Sequence, residues 1–339
     1  ITNSQIFQSI RVLLPKTIKR INRSICNGGV GFGVRKVFGK GSFGSVRLFS
    51  YKRRCDGETL YATVKTSDDA KSLYEEFQIL SKFKGCPRIV QCYGNGVKQR
   101  FNDKGYVEYT IPMEYATGGS LNNFMDIFND RKLPDPMIRK FTRMLLEGLA
   151  TIHRYGYVHY DIKPENILVF PGSVYKEGAW RYSYKLKISD FGLSKRDGDT
   201  KWWHPLKSYA GTRIYMSPET ISHGEIGKGL DLWSLGCVVL EMYTGKRPWW
   251  HTNYELEDLM KCYEPLFPPN LPCDAKLFLM TCFAPEPDER KDALTLLRQS
   301  FFRRDVNKLT KLLKVDNHND FTLELKKLRQ MLSEIRSMR

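Results

Sequence analysis

The stretch His159-Tyr160-Asp161-Ile162-Lys163-Pro164-Glu165-Asn166, followed by Asp190-Phe191-Gly192, decides the fold. Each residue type in it suits a task at a phosphate. A carboxylate at Asp161 can orient a hydroxyl and accept its proton, and the Lys163 ammonium can neutralise charge on a moving phosphoryl group. Asn166 and Asp190 offer the hard oxygens that Mg2+ takes as ligands. An isolated Asp-x-Lys reads as a surface ion pair; four residues with matching tasks in this order do not.

Towards the N-terminus, Gly39-Lys40-Gly41-Ser42-Phe43-Gly44-Ser45-Val46 fits G-x-G-x-x-G-x-V. Residues without bulk let backbone N–H groups approach phosphate oxygens. A dinucleotide-binding loop would run on into a helix, whereas Val46-Arg47-Leu48-Phe49 continues as a strand, so the glycines form a hairpin lid over a nucleotide. Ala62-Thr63-Val64-Lys65 then places a lysine at the end of an apolar strand, where it can meet the α- and β-phosphates. Its expected anchor is Glu76, on the inward side of a short helix over 70–84 in which Leu73, Phe77 and Leu80 share a face; Glu75 is the lesser choice.

The rest of the chain divides around these motifs. Alternation predicts strands between Val34 and Lys65, around Ile89 to Tyr93 and over Tyr106 to Tyr115. Helical patterns follow at Pro136 to Tyr155, Leu230 to Thr244, Glu255 to Cys262, Ala275 to Phe283 and Thr295 to Arg303. A small β-rich unit thus precedes a larger, mainly helical one, an α+β architecture.

Composition narrows the class. The 339 residues are 41% hydrophobic, enough for a packed core. Eight scattered cysteines with no C-x-x-C pair suggest neither a zinc site nor a disulfide framework, and point to a reduced intracellular setting, cytoplasmic or nuclear. The longest apolar stretch, Leu230 to Tyr243, contains Asp231, Ser234 and Glu241, which suits a buried helix and not a membrane span. The formal charge of +17 sits at the ends: residues 1–55 carry twelve Lys/Arg and no acid, 303–339 carry ten against five, and 56–302 carry thirty-two against thirty-two. A neutral body with basic flanks gives no reason to expect a nucleic-acid partner. Residues 1–30 read as a solvated basic extension, with organelle targeting as the alternative.

Together these motifs resemble the eukaryotic protein kinase family over Gly31 to Phe302, with an N-lobe at 31–116, a C-lobe at 117–302 and a basic amphipathic tail at 303–339. The resemblance implies a two-lobed fold with ATP and Mg2+ in the cleft. It makes Met113 the residue at the back of the adenine pocket and Glu114 to Ala116 the hinge, with Val46, Ala62 and Leu168 around the adenine. Leu80, Cys92, His159 and Phe191 would stack as a spine between the lobes, Asp231 would lie beneath the catalytic loop, and Glu219 would pair with Arg290. Lys163 with Thr212 is the serine/threonine pattern. Residues 113–120 and the run Gly211 to Glu219 are similar to kinases of the mitogen-activated cascades, notably plant MAP kinase kinase kinases, which implies a MAP kinase kinase as protein substrate. A pseudokinase acting as scaffold or switch is the alternative; it would lack Lys65, Asp161 or Asp190, and all three are present.

Three departures stand out. Tyr160 replaces the arginine that would hold an activation-loop phosphate, and tyrosine cannot supply that charge, so activity is expected not to depend on phosphorylation at Ser194, Thr200, Ser208, Tyr209 or Thr212. An insertion over 170–185 reads as a surface hairpin. In the tail, Phe321, Leu325, Leu328, Leu332 and Ile335 recur at spacings of four and three, an apolar helical seam that can pack on the C-lobe or dock a partner.

Overall fold

The computed structural model describes residues 33–41, 44–52, 59–102, 104–176, 179–198, 212–250 and 265–302. The basic extension, the tail seam, the helix expected over 255–262 and the hydroxyls Thr200, Ser208 and Tyr209 lie outside the described residues.

Alternating, β-branched segments build the first layer. Strands β1 (Gly33–Gly41), β2 (Gly44–Lys52) and β3 (Thr59–Ser67) form an antiparallel meander. Helix α1 (Ala70–Lys82) follows, and β4 (Lys98–Phe101) and β5 (Val107–Glu114) complete a five-stranded sheet in the order β1-β2-β3-β5-β4. The Asp69 side chain caps α1 by accepting the Ser72 N–H at 3.1 Å, and Leu73, Glu76 and Leu80 form its buried stripe. Glu76 is therefore carried inward and Glu75 outward.

The second layer is helical. After α2 (Leu121–Met125), the long α3 (Asp135–Arg154) turns an apolar face to the core, and α4 (Pro218–His223) leads to α5 (Lys228–Thr244). Every residue from Leu230 to Met242 in α5 is buried, as an all-round apolar helix requires. Helices α6 (Cys273–Cys282) and α7 (Ala293–Leu296) close the layer, with Trp233, Trp249, Phe278, Phe283 and Phe301 filling the space between. Between α3 and α4 lie β6 (Tyr157–Val158), the hairpin of β7 (Ile167–Lys176) and β8 (Ala179–Ile188), and β9 (Lys195–Arg196).

Two expectations are corrected. Ile89 to Tyr93 makes only isolated bridges, Ile89 to Ile188 and Cys92 to Met113, because this segment crosses between sheet and helices with a different partner at each step. The helix expected over 295–303 starts at Ala293 and stops at Leu296, followed by a separate turn at Ser300–Phe302 that seats Phe301 against Phe278, with ring centroids 4.7 Å apart. The C-lobe is mainly helical as expected, and within it β7 and β8 pair over ten residues each, with the 170–185 insertion as the outer part of that hairpin.

Gly245 ends α5 in the left-handed region at φ +69°, and a Cβ there would lie 1.7 Å from the Asp130 carbonyl oxygen. Gly198 has φ +78°, and a Cβ there would meet no atom of the described residues within 4 Å. In urea unfolding, Gly198→Ala should cost only the left-handed strain of about 1–2 kcal/mol, and Gly245→Ala about 1–3 kcal/mol more from the clash.

Candidate active site

The lid hairpin is shaped by its glycines. Gly41 pairs with Gly44, and Gly44 takes φ +113° while its α-carbon faces the Thr66 carbonyl, where a Cβ would come within 1.9 Å of the oxygen. Gly39 pairs with Val46, and Val46 in turn pairs with Lys65 on β3.

Lys65 is buried and holds two carboxylates at once, with Nζ 2.7 Å from Glu76 Oε2 and 2.7 Å from Asp190 Oδ1. Burial by itself would lower the lysine pKa, but the two carboxylates outweigh it and hold it above the ordinary value. For Asp190, burial acts upward and Lys65 pulls harder downward, leaving the carboxyl below its ordinary value. In Glu76 burial prevails over the pull of Lys65, so its carboxyl sits above the usual range. Its Oε1 is buried with no hydrogen-bond partner among the described residues.

Asp161 is fixed from three sides. Asn166 Nδ2 donates to its Oδ2 at 2.8 Å and to its carbonyl at 2.9 Å, and Lys163 Nζ stands 2.7 Å from Oδ2. Thr212 Oγ1 donates to Asp161 Oδ1 at 3.3 Å and accepts from Lys163 Nζ at 2.8 Å, which brings the predicted Lys163–Thr212 pair together beside the carboxylate. The loop backbone hangs from a second, fully buried carboxylate: Asp231 accepts the N–H of His159 at 2.8 Å and of Tyr160 at 3.0 Å, and contacts His153 Nε2 at 2.9 Å. Tyr160 takes φ +73° there, and its side chain packs against the apolar cluster of Val158, Met216, Ile221, Ile226 and Leu230.

The spine residues also meet. The His159 and Phe191 rings lie edge to face at 4.8 Å, Leu80 and Phe191 share one core cluster, and Cys92 packs against it. Burial and the carboxylates of Glu76 and Glu114 push the Cys92 thiol up to about 12. Arg290 grips Glu219 with two nitrogens at 2.6 and 2.8 Å and lies over the Trp233 ring.

The pocket-lining residues divide. Met113 is half-buried and bridges Cys92, Ala116 is buried after β5, and Leu168 bridges Ser120 at the start of β7. Ala62 is a correction: it clusters with Leu60 and Tyr93, and strand alternation puts it on the face of β3 opposite Lys65. Thr63 stands on the Lys65 face instead, its Oγ1 donating to the Glu114 carbonyl at 3.0 Å. Counting back by two from Lys65 would have found it. The Glu114 side chain is also turned away, bonded by Lys187 Nζ at 2.6 and 2.7 Å and by the Gln91 N–H at 2.8 Å, so only its backbone can serve as hinge.

For a divalent cation, Asn166 Nδ2 is spent on Asp161, which turns its Oδ1 into an available acceptor, and Asp190 keeps Oδ2 beyond the oxygen bound to Lys65. Two hard oxygens, with phosphate oxygens making up the remainder, fit the way Mg2+ is held at a nucleotide.

A positioned base, a neutralising lysine, a paired strand lysine and a glycine lid around one cleft are the parts of phosphoryl transfer. Residues 32–302 match the family model described as the protein kinase domain. The chain belongs to the protein kinase family. With Lys163 bound to Thr212, it is a serine/threonine protein kinase that takes ATP as substrate. It is 33% identical over 301 residues to mitogen-activated protein kinase kinase kinase 20 of Arabidopsis thaliana, covering 86% of this kinase and 82% of that protein. It is 34% identical over 284 residues to mitogen-activated protein kinase kinase kinase 5 of Homo sapiens, covering 80% of this chain but only 19% of that protein. Mitogen-activated protein kinase kinase 2 of Arabidopsis thaliana is 32% identical over 282 residues, with 79% and 71% covered.

Because the Arg290 side chain is fully buried against Glu219, Arg290→Ala would leave a carboxylate unpaired in the C-lobe. Chemical denaturation should show a loss of about 3–5 kcal/mol.

Proposed function

We propose that this kinase acts as a MAP kinase kinase kinase, moving the γ-phosphoryl group of ATP onto serine and threonine hydroxyls of MAP kinase kinases. The observation that carries the reading is the Asp161 carboxylate, held by Asn166, Lys163 and Thr212 at the base of the cleft while Lys65 is held by Glu76 and Asp190. The similarity to proteins named for that cascade step supports the choice of substrate.

Gly39, Gly41 and Gly44 present backbone to the triphosphate, Val46, Met113, Ala116 and Leu168 with the backbone of Glu114 surround the adenine, and Lys65 binds the α- and β-phosphates. Asp161 orients the substrate hydroxyl; as its oxygen bonds to the γ-phosphorus and the bond to the β-phosphate oxygen breaks, the proton passes to the Asp161 carboxylate and ADP leaves. Lys163 donates to the moving phosphoryl oxygens and then to the product. Asn166 and Asp190 would hold Mg2+, which neutralises phosphate charge. Thr212, bonded to both Asp161 and Lys163, links the substrate-binding segment to the base.

Tyr160 has an apolar seat and no cationic group to offer a phosphate, which favours activity without activation-loop phosphorylation. Among the described residues no helix is long and apolar enough to cross a membrane, and five described cysteines are free thiols, in keeping with work in the cytoplasm or nucleus.

The test is transfer of labelled phosphate from Mg-ATP to a panel of MAP kinase kinases and a generic basic protein. Transfer to serine or threonine should favour the MAP kinase kinases and fall about 10²–10⁴-fold in Asp161→Asn. Equal transfer by the variant would remove Asp161 from its role. ATP binding without transfer by the unmodified chain would favour a scaffold.

A further inference from the structure

Three aromatic rings from three elements meet at the outer edge of the cleft. On β1, Val37 pairs with Arg47 and Gly39 with Val46, so Phe38 between them has no opposite residue on β2. Such a bulge takes its extra residue out of the ladder and re-aims the side chain. The Phe38 ring lies stacked on Tyr115 of the hinge, centroids 5.9 Å apart and planes 27° from parallel. Tyr115 also meets Tyr61, at 6.2 Å and 49°. Tyr61, Thr63 and Lys65 share one face of β3 by alternation, so the face that carries Lys65 into the cleft carries Tyr61 to its outer end. Phe38 and Tyr61 remain 44% and 38% exposed, too open to be core residues.

We propose that Phe38 and Tyr115, with Tyr61 backing the hinge ring, form a clasp that fastens the glycine hairpin to the hinge and sets the rate at which nucleotide leaves the cleft. Phe38 immediately precedes Gly39, so any lifting of the hairpin to admit ATP or release ADP separates its ring from Tyr115. A stacked aromatic pair is worth a factor of about two to ten in such an equilibrium. Neither ring supplies a group to the transfer; both are positioning residues. The proposal rests on the reading of the cleft as the ATP site, which binding of nucleotide by the unmodified chain checks separately.

The experiment is stopped-flow dissociation of a fluorescent methylanthraniloyl-ADP, with Mg2+, from the full chain and its variants. Phe38→Ala and Tyr115→Ala should each speed dissociation about two- to tenfold, and the double variant should be no faster than the faster single one, because both changes break one contact. Phe38→Tyr and Tyr115→Phe, which keep the rings, should dissociate at the unmodified rate. Association of the same nucleotide should also speed up in the alanine variants, because the clasp opens for entry and exit alike, so the equilibrium dissociation constant should move less than either rate. Additive effects, or a Tyr115→Ala variant with unaltered dissociation, would mean that Phe38 acts on the nucleotide directly and would overturn the clasp. No binding by the unmodified chain would overturn the ATP-site reading and the clasp with it.

Discussion

One buried ammonium group organises the cleft. Lys65 Nζ sits 2.7 Å from a carboxylate on α1 and 2.7 Å from one just after β8. A charge taken out of water must be paired or it is strongly destabilising, so the strand, the helix and the Asp190 loop are tied to a common position. Asp190 accepts a left-handed backbone, φ +64°, to reach that position. Glu76 contributes one oxygen to this contact and leaves the other unpartnered among the described residues.

The C-lobe repeats the device with the sign reversed. Asp231 is a fully buried carboxylate whose partners are backbone N–H groups of the catalytic loop. It can hold Tyr160 at φ +73° because charge-assisted hydrogen bonds offset a strain of this size, on the order of 1–3 kcal/mol. The loop is thereby fixed from below, and Asp161 is left to be oriented by side chains from above. The two lobes meet through packing of Leu80, Phe191 and His159 and through the buried Glu114–Lys187 pair, which ties the end of β5 to β8.

Much of this arrangement was legible in the residues. The first three strands, α1, α3 and α5 follow from periodicity, and the Lys65–Glu76 pair follows from the helical stripe that carries Glu76 inward. The Glu219–Arg290 contact and the joint reading of Lys163 with Thr212 as the serine/threonine pattern rest on family resemblance, since no local pattern connects residues 71 and 49 positions apart; that Lys163 and Thr212 touch is a finding of the fold. Ala62 was misplaced by one position, which on a strand is the opposite face. The Ile89 to Tyr93 segment has the composition of a strand but no continuous neighbour to pair with. The Phe38 bulge and the Glu114–Lys187 pair were illegible for a related reason: register and long-range pairing are properties of the folded sheet, not of the local sequence.

The most direct measurement is the single-turnover rate of phosphate transfer from saturating Mg-ATP in Lys65→Met, with its thermal unfolding followed alongside. If the ammonium between Glu76 and Asp190 aligns the phosphates, transfer should fall by about 10²–10³-fold or more while the variant still unfolds cooperatively. Transfer near the unmodified rate from a folded Lys65→Met variant would contradict the central role given to this charge.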